Sequence, residues 1–410
     1  MLIYKLAIRN LFRNTRRTIL TVMLIGFSLA ALILTNAITG GMIKVMVESV
    51  THTISGEAQI HRLGFRDNLD IDLYLEDSSD IENRLAQDNR VKSYSPRVIA
   101  GGMISSSYNV TGGAVYGVDA AKEASVSKLK LAVVQGNYLS EHSTENATEI
   151  LIGKPMAELL EIGLGDRIVI TLAEANTGEL TQALFRVSGI FFFGTREIDE
   201  NMVFINIEKA REVINIYDAS HEIALLFHES DITATTTQAL LREFNHGETE
   251  ALDWQDLFPE ISSVLVISDF SSFIVGFILF LLASLGVINS MFMSIYERIY
   301  EFGVAKAIGT KPIQLLQLVL FEGFLIALMS CAFGIAIGGG IGFYYETRGI
   351  PMGEFEFAGI AMNNKIPTVL TLEQFTQFPV YVILLTLVAT LYPARFAANI
   401  VPSQALQKSL

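Results

Sequence analysis

The stretch FSSFIVGFILFLLASLGVINSMFMSIY, Phe270–Tyr296, and the polar stretch ERIYEFGVAKAIGTKP that follows it, Glu297–Pro312, decide the fold of this chain. The first contains no charged residue and exceeds the roughly 20 residues with which an α-helix spans a bilayer. Outward from it, the chain has three more charge-free runs of this kind: Thr18–Ile43, Gly323–Tyr345 and Gln374–Ala394. The sequence therefore predicts a membrane protein with four transmembrane helices.

Composition agrees with a membrane protein and excludes several classes of function. Of the 410 residues, 51% are hydrophobic and only 18% are charged, against about 25% charged residues in ordinary soluble domains. The net charge of -14 argues against nucleic acid as a partner, because phosphate binding favours a basic surface. Cys331 is the single cysteine, so neither an intrachain disulfide nor a cysteine-based zinc site can form within the chain.

The distribution of charge predicts the orientation in the membrane. Five basic residues and no acidic residue precede the first span: Lys5, Arg9, Arg13, Arg16 and Arg17. By the positive-inside rule this places the N-terminus in the cytoplasm, and four crossings return the C-terminus there. Residues 44–269 carry a net charge of -19 and are expected outside the membrane. The first run is too long for the apolar core of a signal peptide, so it is interpreted as an uncleaved anchor.

We predict the following organisation. The chain is expected in the bacterial inner membrane as a multi-pass protein, with its large domain in the periplasm. The segments are a cytoplasmic amphipathic N-terminal helix (1–17), transmembrane helix 1 (18–43), an extracytoplasmic α+β domain with stalks (44–269), transmembrane helix 2 (270–296), a cytoplasmic loop (297–314), transmembrane helix 3 (315–345), an extracytoplasmic loop (346–373), transmembrane helix 4 (374–394) and a cytoplasmic tail (395–410).

The outer domain shows alternating short strand and helix patterns that predict a mixed α+β fold. Strands are expected at Glu149–Gly153, Arg167–Leu172, Ala183–Ile190, Val203–Ile205 and Glu222–Phe227, with helices at Pro155–Leu160 and Ile207–Ile214 and a hairpin turn at Asn176–Glu179. No motif for metal binding or nucleophilic catalysis is present. The six histidines, His52, His61, His142, His221, His228 and His246, lack metal-ligand spacing. The sequence thus predicts a non-enzymatic chain with no metal and no cofactor of its own.

The loop between the second and third spans is the most informative motif. It predicts a short helix with Glu297, Arg298 and Glu301 on a polar side, Val304 and Ile308 behind, and Gly309 near its C-terminal end. Such a helix is suited to docking in a groove of a partner protein. A plain charged connector is the alternative interpretation.

This loop resembles the coupling helix of the FtsX-like, MacB-type permease family of ABC transporters, which includes the lipoprotein-releasing subunits LolC and LolE. The family pattern E-x-x-x-E-x-G-x-x-x-A-x-G is matched by Glu297, Glu301, Gly303, Ala307 and Gly309. LAIRNLFRNTRRT near the N-terminus, LYPARFAANIVPSQALQ near the C-terminus, and ILIGKPMAELLEIGLGDRIVI and FRVSGIFFFGTREIDENMVFINIEKA in the outer domain are also similar to the family.

The resemblance implies partners and a mechanism. The sequence has no GxxxxGK[ST] phosphate-binding loop, so ATP and Mg are expected on a separate ABC ATPase subunit. A second permease subunit, identical or homologous, would complete a dimeric transporter, with membrane lipid and a periplasmic protein as further partners. The residues assigned to ATPase coupling are Glu297, Arg298, Glu301, Gly303, Lys306, Ala307, Ile308 and Gly309.

Three further features of the spans are interpreted from the residues. The glycines Gly334, Gly338 and Gly342 are spaced by four, as in small-residue faces that let helices pack closely, within or between protomers. Glu322 lies near the cytoplasmic end of the third span, where we expect it to be solvated. Near the outer membrane boundary, a cavity for acyl chains is one interpretation of Met42, Met46, Phe270, Phe273 and Phe277, and packing of these side chains against neighbouring helices is the alternative.

Three functions remain open from the sequence. The first is a permease that passes ATP-driven motion to the periplasmic side for lipoprotein release or lipid handling. The second is mechanical signalling to a periplasmic partner such as a cell-wall hydrolase, and the third is drug or peptide efflux. LolC-type subunits carry an inserted hook loop, whereas Thr171–Phe185 holds only a short hairpin here. The chain is then expected to be a LolE-like partner or part of a system that does not release lipoproteins.

Overall fold

The computed structural model describes residues 2–140, 148–228, 235–351, 355–357, 360–362 and 365–402. Its helices are α1 (Leu2–Arg13), α2 (Thr15–Val50), α3 (Phe65–Asn68), α4 (Ser78–Gln87), α5 (Ala120–Val126), α6 (Leu129–Ala132), α7 (Lys154–Leu159), α8 (Arg196–Asn201), α9 (Ile207–Val213), α10 (Thr235–Phe244), α11 (Trp254–Leu257), α12 (Pro259–Glu297), α13 (Ile299–Ala307), α14 (Pro312–Arg348) and α15 (Leu372–Ala398). A π-helical turn, Thr51–Ser55, follows α2.

The strands are β1 (Ala58–Arg62), β2 (Val91–Ser105), β3 (Val110–Val118), β4 (Val133–Gly136), β5 (Glu149–Gly153), β6 (Arg167–Ala173), β7 (Leu180–Phe191), β8 (Met202–Asn206), β9 (Glu222–Phe227), β10 (Thr249–Asp253), β11 (Ile350–Pro351), β12 (Phe355–Phe357), β13 (Ile360–Met362) and β14 (Lys365–Ile366). The predicted strands of the outer domain correspond to β5 to β9. The structure extends β7 toward its N-terminus, so that it starts at Leu180 immediately after the turn.

The chain divides into two units. The membrane unit comprises residues 1–44, 264–353 and 364–410, and the outer unit comprises 45–263 and 354–363. Within the described ranges, four helices are long and apolar enough to cross a membrane: Thr15–Ser55, counted with the π-helical turn, Pro259–Glu297, Pro312–Arg348 and Leu372–Ala398. They contain the four charge-free runs of the sequence. The predicted fold class, four transmembrane helices with a large α+β domain inserted between the first two, is confirmed.

The membrane unit is held together by apolar side chains on facing sides of its helices. Its buried cluster draws on α1, α2, α12, α13, α14 and α15, and includes Leu29, Val287, Phe302, Ile326 and Val382. In addition, α1 packs against α14, and α14 packs along α15. The N-terminal helix is therefore part of the bundle, with Ala7 and Leu11 buried in the same cluster.

The outer unit is built on one mixed sheet. Its strand order is β10-β1-β9-β2-β3-β8-β5-β7-β4, and β6 pairs with both β2 and β7. The long strand β2 pairs with β9 over Val91–Arg97 and with β6 over Gly102–Ser105. Strand β3 pairs with β2 over Arg97–Ser105. The pairs β3–β8 and β5–β7 are parallel. Strand β9 is buried along its whole length, as expected of a central strand, and the residues after Glu222 form a continuous apolar run.

Candidate coupling site

The short helix α13 is defined by the residues at its two ends. Arg298 has a non-helical backbone and separates α13 from α12. At the other end, Gly309 adopts φ +102°, a left-handed conformation that favours glycine. Pro312 then opens α14 at its first turn, where a missing N–H costs nothing. Local chemistry thus fixes a helix of little more than two turns between two spans.

Arg298 makes a buried ion pair at the centre of the site. It is 6% exposed, and its Nη1 lies 2.9 Å from Oε1 of Glu322 on α14, which is 4% exposed. Asn10 of α1 donates from Nδ2 to the same oxygen at 2.7 Å. The guanidinium also lies over the ring of Phe302, 4.8 Å from its centroid. A buried charge needs such partners, since an unpaired one costs several kcal/mol.

The expectation that Glu322 is solvated was wrong. Its position near the end of a span suggested contact with water, but α1 and the first residue after α12 cover it from both sides. A small polar cavity of about 10 Å³ adjoins the pair, enough for about one water molecule. It is lined by Asn10, Leu11, Arg17, Thr18, Ser290, Met291, Ser294, Glu322 and Ile326.

A second layer of ion pairs joins the loop to the N-terminal segment. Arg13 lies 2.7 Å from Glu301, and Arg17 lies 2.9 Å from Glu297. Asn14 donates to Glu297 at 2.6 Å. Partial burial works against ionisation of Glu301, but the hydrogen bond and charge of Arg13, with those of Arg298, outweigh it and lower the pKa of this carboxyl. The carboxylate is therefore charged at neutral pH.

Lys306 connects α13 to the end of α15. Its Nζ donates to the carbonyl oxygens of Ala398, at 2.9 Å, and Ile400, at 2.8 Å. The last carbonyls of a helix have no partner within the helix and carry partial negative charge, so they favour a lysine ammonium. The C-terminal end of the fourth span is thus tied to the same loop.

The face of α13 that points outward differs from the prediction. We expected the charged residues outside and Ile308 behind, but Arg298 is buried and Ile308 is 80% exposed. Val304 is half-buried, and Phe302 and Gly303 form the packed side. The reason is that Arg298 pairs with Glu322 of α14, which the loop sequence does not contain, in addition to Glu301 within the loop. The outward face of the loop includes Tyr300, Ala307, Ile308, Gly309 and Ile313, together with the exposed charged residues Glu297, Glu301 and Lys311.

The glycines of α14 make close contacts inside the protomer. A Cβ on Gly334 would lie 2.8 Å from the Gly26 carbonyl oxygen, and one on Gly338 would lie 3.0 Å from Cα of Ala30. Gly342 instead faces Leu370, in the segment before α15. Gly26 and Ala30 were not predicted from the sequence, although their spacing by four in α2 is the same small-residue signal.

The residues predicted to line an acyl-chain cavity have different environments. Phe270, Phe273 and Phe277 are exposed along α12, while Met46 is buried and Met42 is half-buried. Exposed phenylalanines are normal on a helix that faces lipid. The cavity stays a prediction.

In the outer unit, the structure reveals a buried ionic cluster that the sequence analysis missed. Arg97 of β2 is fully buried and contacts Glu123 at 2.8 Å and Glu222 at 2.8 Å. It also donates to the carbonyl oxygen of Ile54, in the turn that follows α2. These residues are far apart in sequence, so no local motif could have indicated the cluster.

His221 has both ring nitrogens occupied by the backbone. Nδ1 accepts from the Ile99 amide at 3.1 Å, and Nε2 donates to the Ile71 carbonyl at 2.9 Å. Burial lowers the pKa of His221, which keeps it neutral. His142 lies outside the described residues. Over the ranges that the structure describes, no group of three or more His, Cys, Asp or Glu side chains is placed to hold a metal ion.

Comparison with known proteins places both halves of the chain. Residues 18–243 match the MacB-like periplasmic core domain, and residues 273–402 match the FtsX-like permease C-terminal domain. The lipoprotein-releasing system transmembrane protein LolC of Xylella fastidiosa (strain 9a5c) is 26% identical over 63% of this chain and 64% of its own length. The ABC transporter permease YtrF of Bacillus subtilis (strain 168) is 35% identical over 19% of this chain and 18% of its own length.

Among solved structures, the periplasmic region of MacB from Actinobacillus actinomycetemcomitans matches with a TM-score of 0.36 and 15% identity, covering 51% of this chain and 94% of that one. The match to the LolC relative spans just under two thirds of that relative's length. The model of the MacB-like periplasmic core domain alone matches more than half of the chain. The chain belongs to the family of ABC transporter permeases with a MacB-like periplasmic core domain and an FtsX-like C-terminal domain.

Proposed function

We propose that this chain is the membrane subunit that passes ATP-driven motion from a separate ATPase subunit to a periplasmic domain. The observation that carries this proposal is the set of polar contacts around α13. Through Arg298, Glu301 and Lys306, this helix contacts α14, α1 and the end of α15. A displacement of α13 by a partner must therefore displace these helices or break their contacts.

The outward face of the loop supplies a docking surface for the ATPase. It presents Tyr300, Ile308 and Ile313 around a half-exposed Glu301. An exposed apolar set of this kind suits insertion into a hydrophobic groove. ATP and Mg are held by the ATPase, and a second permease chain, identical or homologous, completes the transporter. The N-terminus, the loop and the C-terminus face the cytoplasm, and the outer unit faces the periplasm.

For the cargo, we propose lipoproteins or lipids. The support is the similarity to proteins named as transmembrane components of lipoprotein-releasing systems. A second candidate, mechanical signalling to a periplasmic protein, is favoured by the connection between β6 and β7. That connection is a tight turn closed by a hydrogen bond from the Glu174 amide to the Glu179 carbonyl, with no extended loop for handing over a cargo.

The first test is affinity purification of the tagged chain from native membranes, with mass spectrometry of co-purifying proteins and lipids. Recovery of an ATPase, a second permease and acylated proteins would support lipoprotein release. An ATPase with a periplasmic hydrolase and no acylated protein would support signalling. Absence of any ATPase would contradict the whole proposal.

The second test addresses the coupling site. In the reconstituted complex, Ile308→Ser removes an exposed apolar contact and should weaken ATPase association. Glu301→Gln keeps that surface but breaks the pair with Arg13, so it should lower transport per ATP hydrolysed while the ATPase remains bound. Leu372→Ser, at an exposed apolar position of α15, is the matched control for Ile308. If Ile308→Ser behaved like Leu372→Ser, docking at this face would be refuted.

A further inference from the structure

The basic residues that precede the first span fall into two structural sets. Arg13 and Arg17 are paired with Glu301 and Glu297 of the cytoplasmic loop. Lys5, Arg9 and Arg16 are exposed, and none of them forms an ion pair with any residue that the structure describes. In the sequence the five residues form one basic segment, but only Arg13 and Arg17 pair with acidic residues of the protein.

Two of the unpaired cations, Lys5 and Arg9, share one side of α1 with exposed apolar residues, and Arg16 follows in α2. Ile8 is 47% exposed and Phe12 is 67% exposed, one helical turn apart. At 100° per residue, Lys5, Ile8, Arg9 and Phe12 fall within one third of the helix circumference. The opposite side carries Ala7, Asn10 and Leu11, which pack into the membrane unit. We call the first set the outward face of α1.

The charge and apolar content of the outward face of α1 indicate what kind of partner it binds. No acidic residue occurs before Glu48, so nothing on this segment neutralises the three cations. Apolar side chains interleaved with Lys and Arg on one helical face are typical of helices that lie in the headgroup layer. The face also ends next to Thr18, where the charge-free run enters the bilayer. A lipid surface therefore suits the outward face of α1 better than a protein groove does.

We propose that the outward face of α1, together with Arg16, binds anionic phospholipid headgroups of the cytoplasmic leaflet. The phosphate groups pair with Lys5, Arg9 and Arg16, while Phe12 and Ile8 enter the acyl boundary. The inner face of the same helix holds Glu322 through Asn10, and Arg13 at the end of the helix pairs with Glu301. Lipid binding thus fixes the position of the helix against which the coupling loop packs. Only this last consequence rests on the proposed function.

The test uses the full chain in nanodiscs of equimolar phosphatidylethanolamine and phosphatidylglycerol, released into mild detergent and analysed by native mass spectrometry. The retained lipid should be enriched in phosphatidylglycerol. Each of Lys5→Gln, Arg9→Gln and Arg16→Gln should reduce the enrichment by up to about fivefold at low salt, and the triple variant should abolish it. The triple exchange Lys5→Arg, Arg9→Lys, Arg16→Lys should restore it.

Arg13→Gln is the matched control, because it removes the same charge from the same helix but at a position paired with Glu301. Its lipid retention should equal that of the wild type. Equal loss in Arg9→Gln and Arg13→Gln would refute the proposal, as would full enrichment in the triple glutamine variant. Loss of enrichment on adding inorganic phosphate at constant ionic strength would assign the site to a free anion and overturn it. Retention is measured without ATP, so a missing ATPase would count only against the proposed function.

Discussion

The buried pair Arg298–Glu322 provides a quantitative test of the coupling site. Both side chains are less than a tenth exposed and their charged atoms are 2.9 Å apart. Removing one partner, by Arg298→Met or Glu322→Leu, breaks the buried pair and leaves the other charge only its weaker partner, Asn10 for Glu322 and the half-exposed Glu301 for Arg298, which costs about 3–5 kcal/mol. Removing both leaves the Asn10 amide without its acceptor and Glu301 without its contact to Arg298, at about 1 kcal/mol each. We therefore expect the double variant to be more stable than either single variant.

The assay is a double-mutant cycle on the free energy of unfolding. The full chain in mild detergent is titrated with a denaturing detergent, and helix content is followed by circular dichroism. The two single losses should sum to about 6–10 kcal/mol, whereas the double variant should lose about 2 kcal/mol or less. Glu301→Gln is the internal comparison: its partner Arg13 is half exposed, so the loss should stay below about 1 kcal/mol.

Two results would refute this reasoning. If the double variant lost as much stability as the sum of the singles, Arg298 and Glu322 would not interact. If each single variant lost less than about 1 kcal/mol, the two charges would be hydrated and the site would be open to solvent.

Three further predictions concern packing and the outer unit. Gly338→Leu should destabilise the membrane unit by roughly 1–3 kcal/mol because its side chain would meet the backbone of α2, whereas Gly340→Ala, with open space at its Cβ, should be neutral; thermal unfolding in detergent measures both. Because burial lowers the pKa of His221, the unfolded chain takes up a proton at this histidine before the folded chain does, as pH falls below about 6.5. The free energy of unfolding of the outer unit should therefore fall by up to about 1.4 kcal/mol per pH unit because of this residue. Unfolding is followed by the fluorescence of Trp254, and a free energy of unfolding that stayed constant between pH 7 and 5 would contradict this. Arg97→Met should leave two buried carboxylates unpaired and cost about 3–5 kcal/mol in the same fluorescence assay, and a loss below about 1 kcal/mol would show that the cluster is hydrated.

The elements of the fold could be predicted because their signals are local. A charge-free run marks a span wherever it occurs, and β9 was predicted with its observed bounds, Glu222–Phe227, because the residues that follow Glu222 are continuously apolar. The turn before β7 was likewise indicated by Asn176 and Gly178, both of which adopt positive φ. Such residues determine local structure without knowledge of their neighbours in space.

The short helix between the second and third spans could be predicted from the sequence, but its contacts could not. Asn10 and Glu322 are 312 positions apart, and Glu301 is 288 positions from Arg13. Burial of Arg298 becomes favourable only once these partners converge, so a helical pattern read from the loop alone placed the charge outside. One signal was available: Phe302 follows Arg298 by one turn and therefore lies on the same side.

The same helix, α14, carries both the buried ion pair and a close crossing with α2, and this has a mechanical consequence. At Gly338 the backbones of α14 and α2 approach so closely that even a methyl group would contact Cα of Ala30. Gly338 itself has no side chain that could change rotamer and absorb a displacement, and packed interiors transmit strain. A push on α13 that reaches α14 through Arg298 and Glu322 must therefore also move α2. If transmission follows this route, a bulky residue at Gly338 should impair transport even in variants whose ATPase binding and hydrolysis are normal.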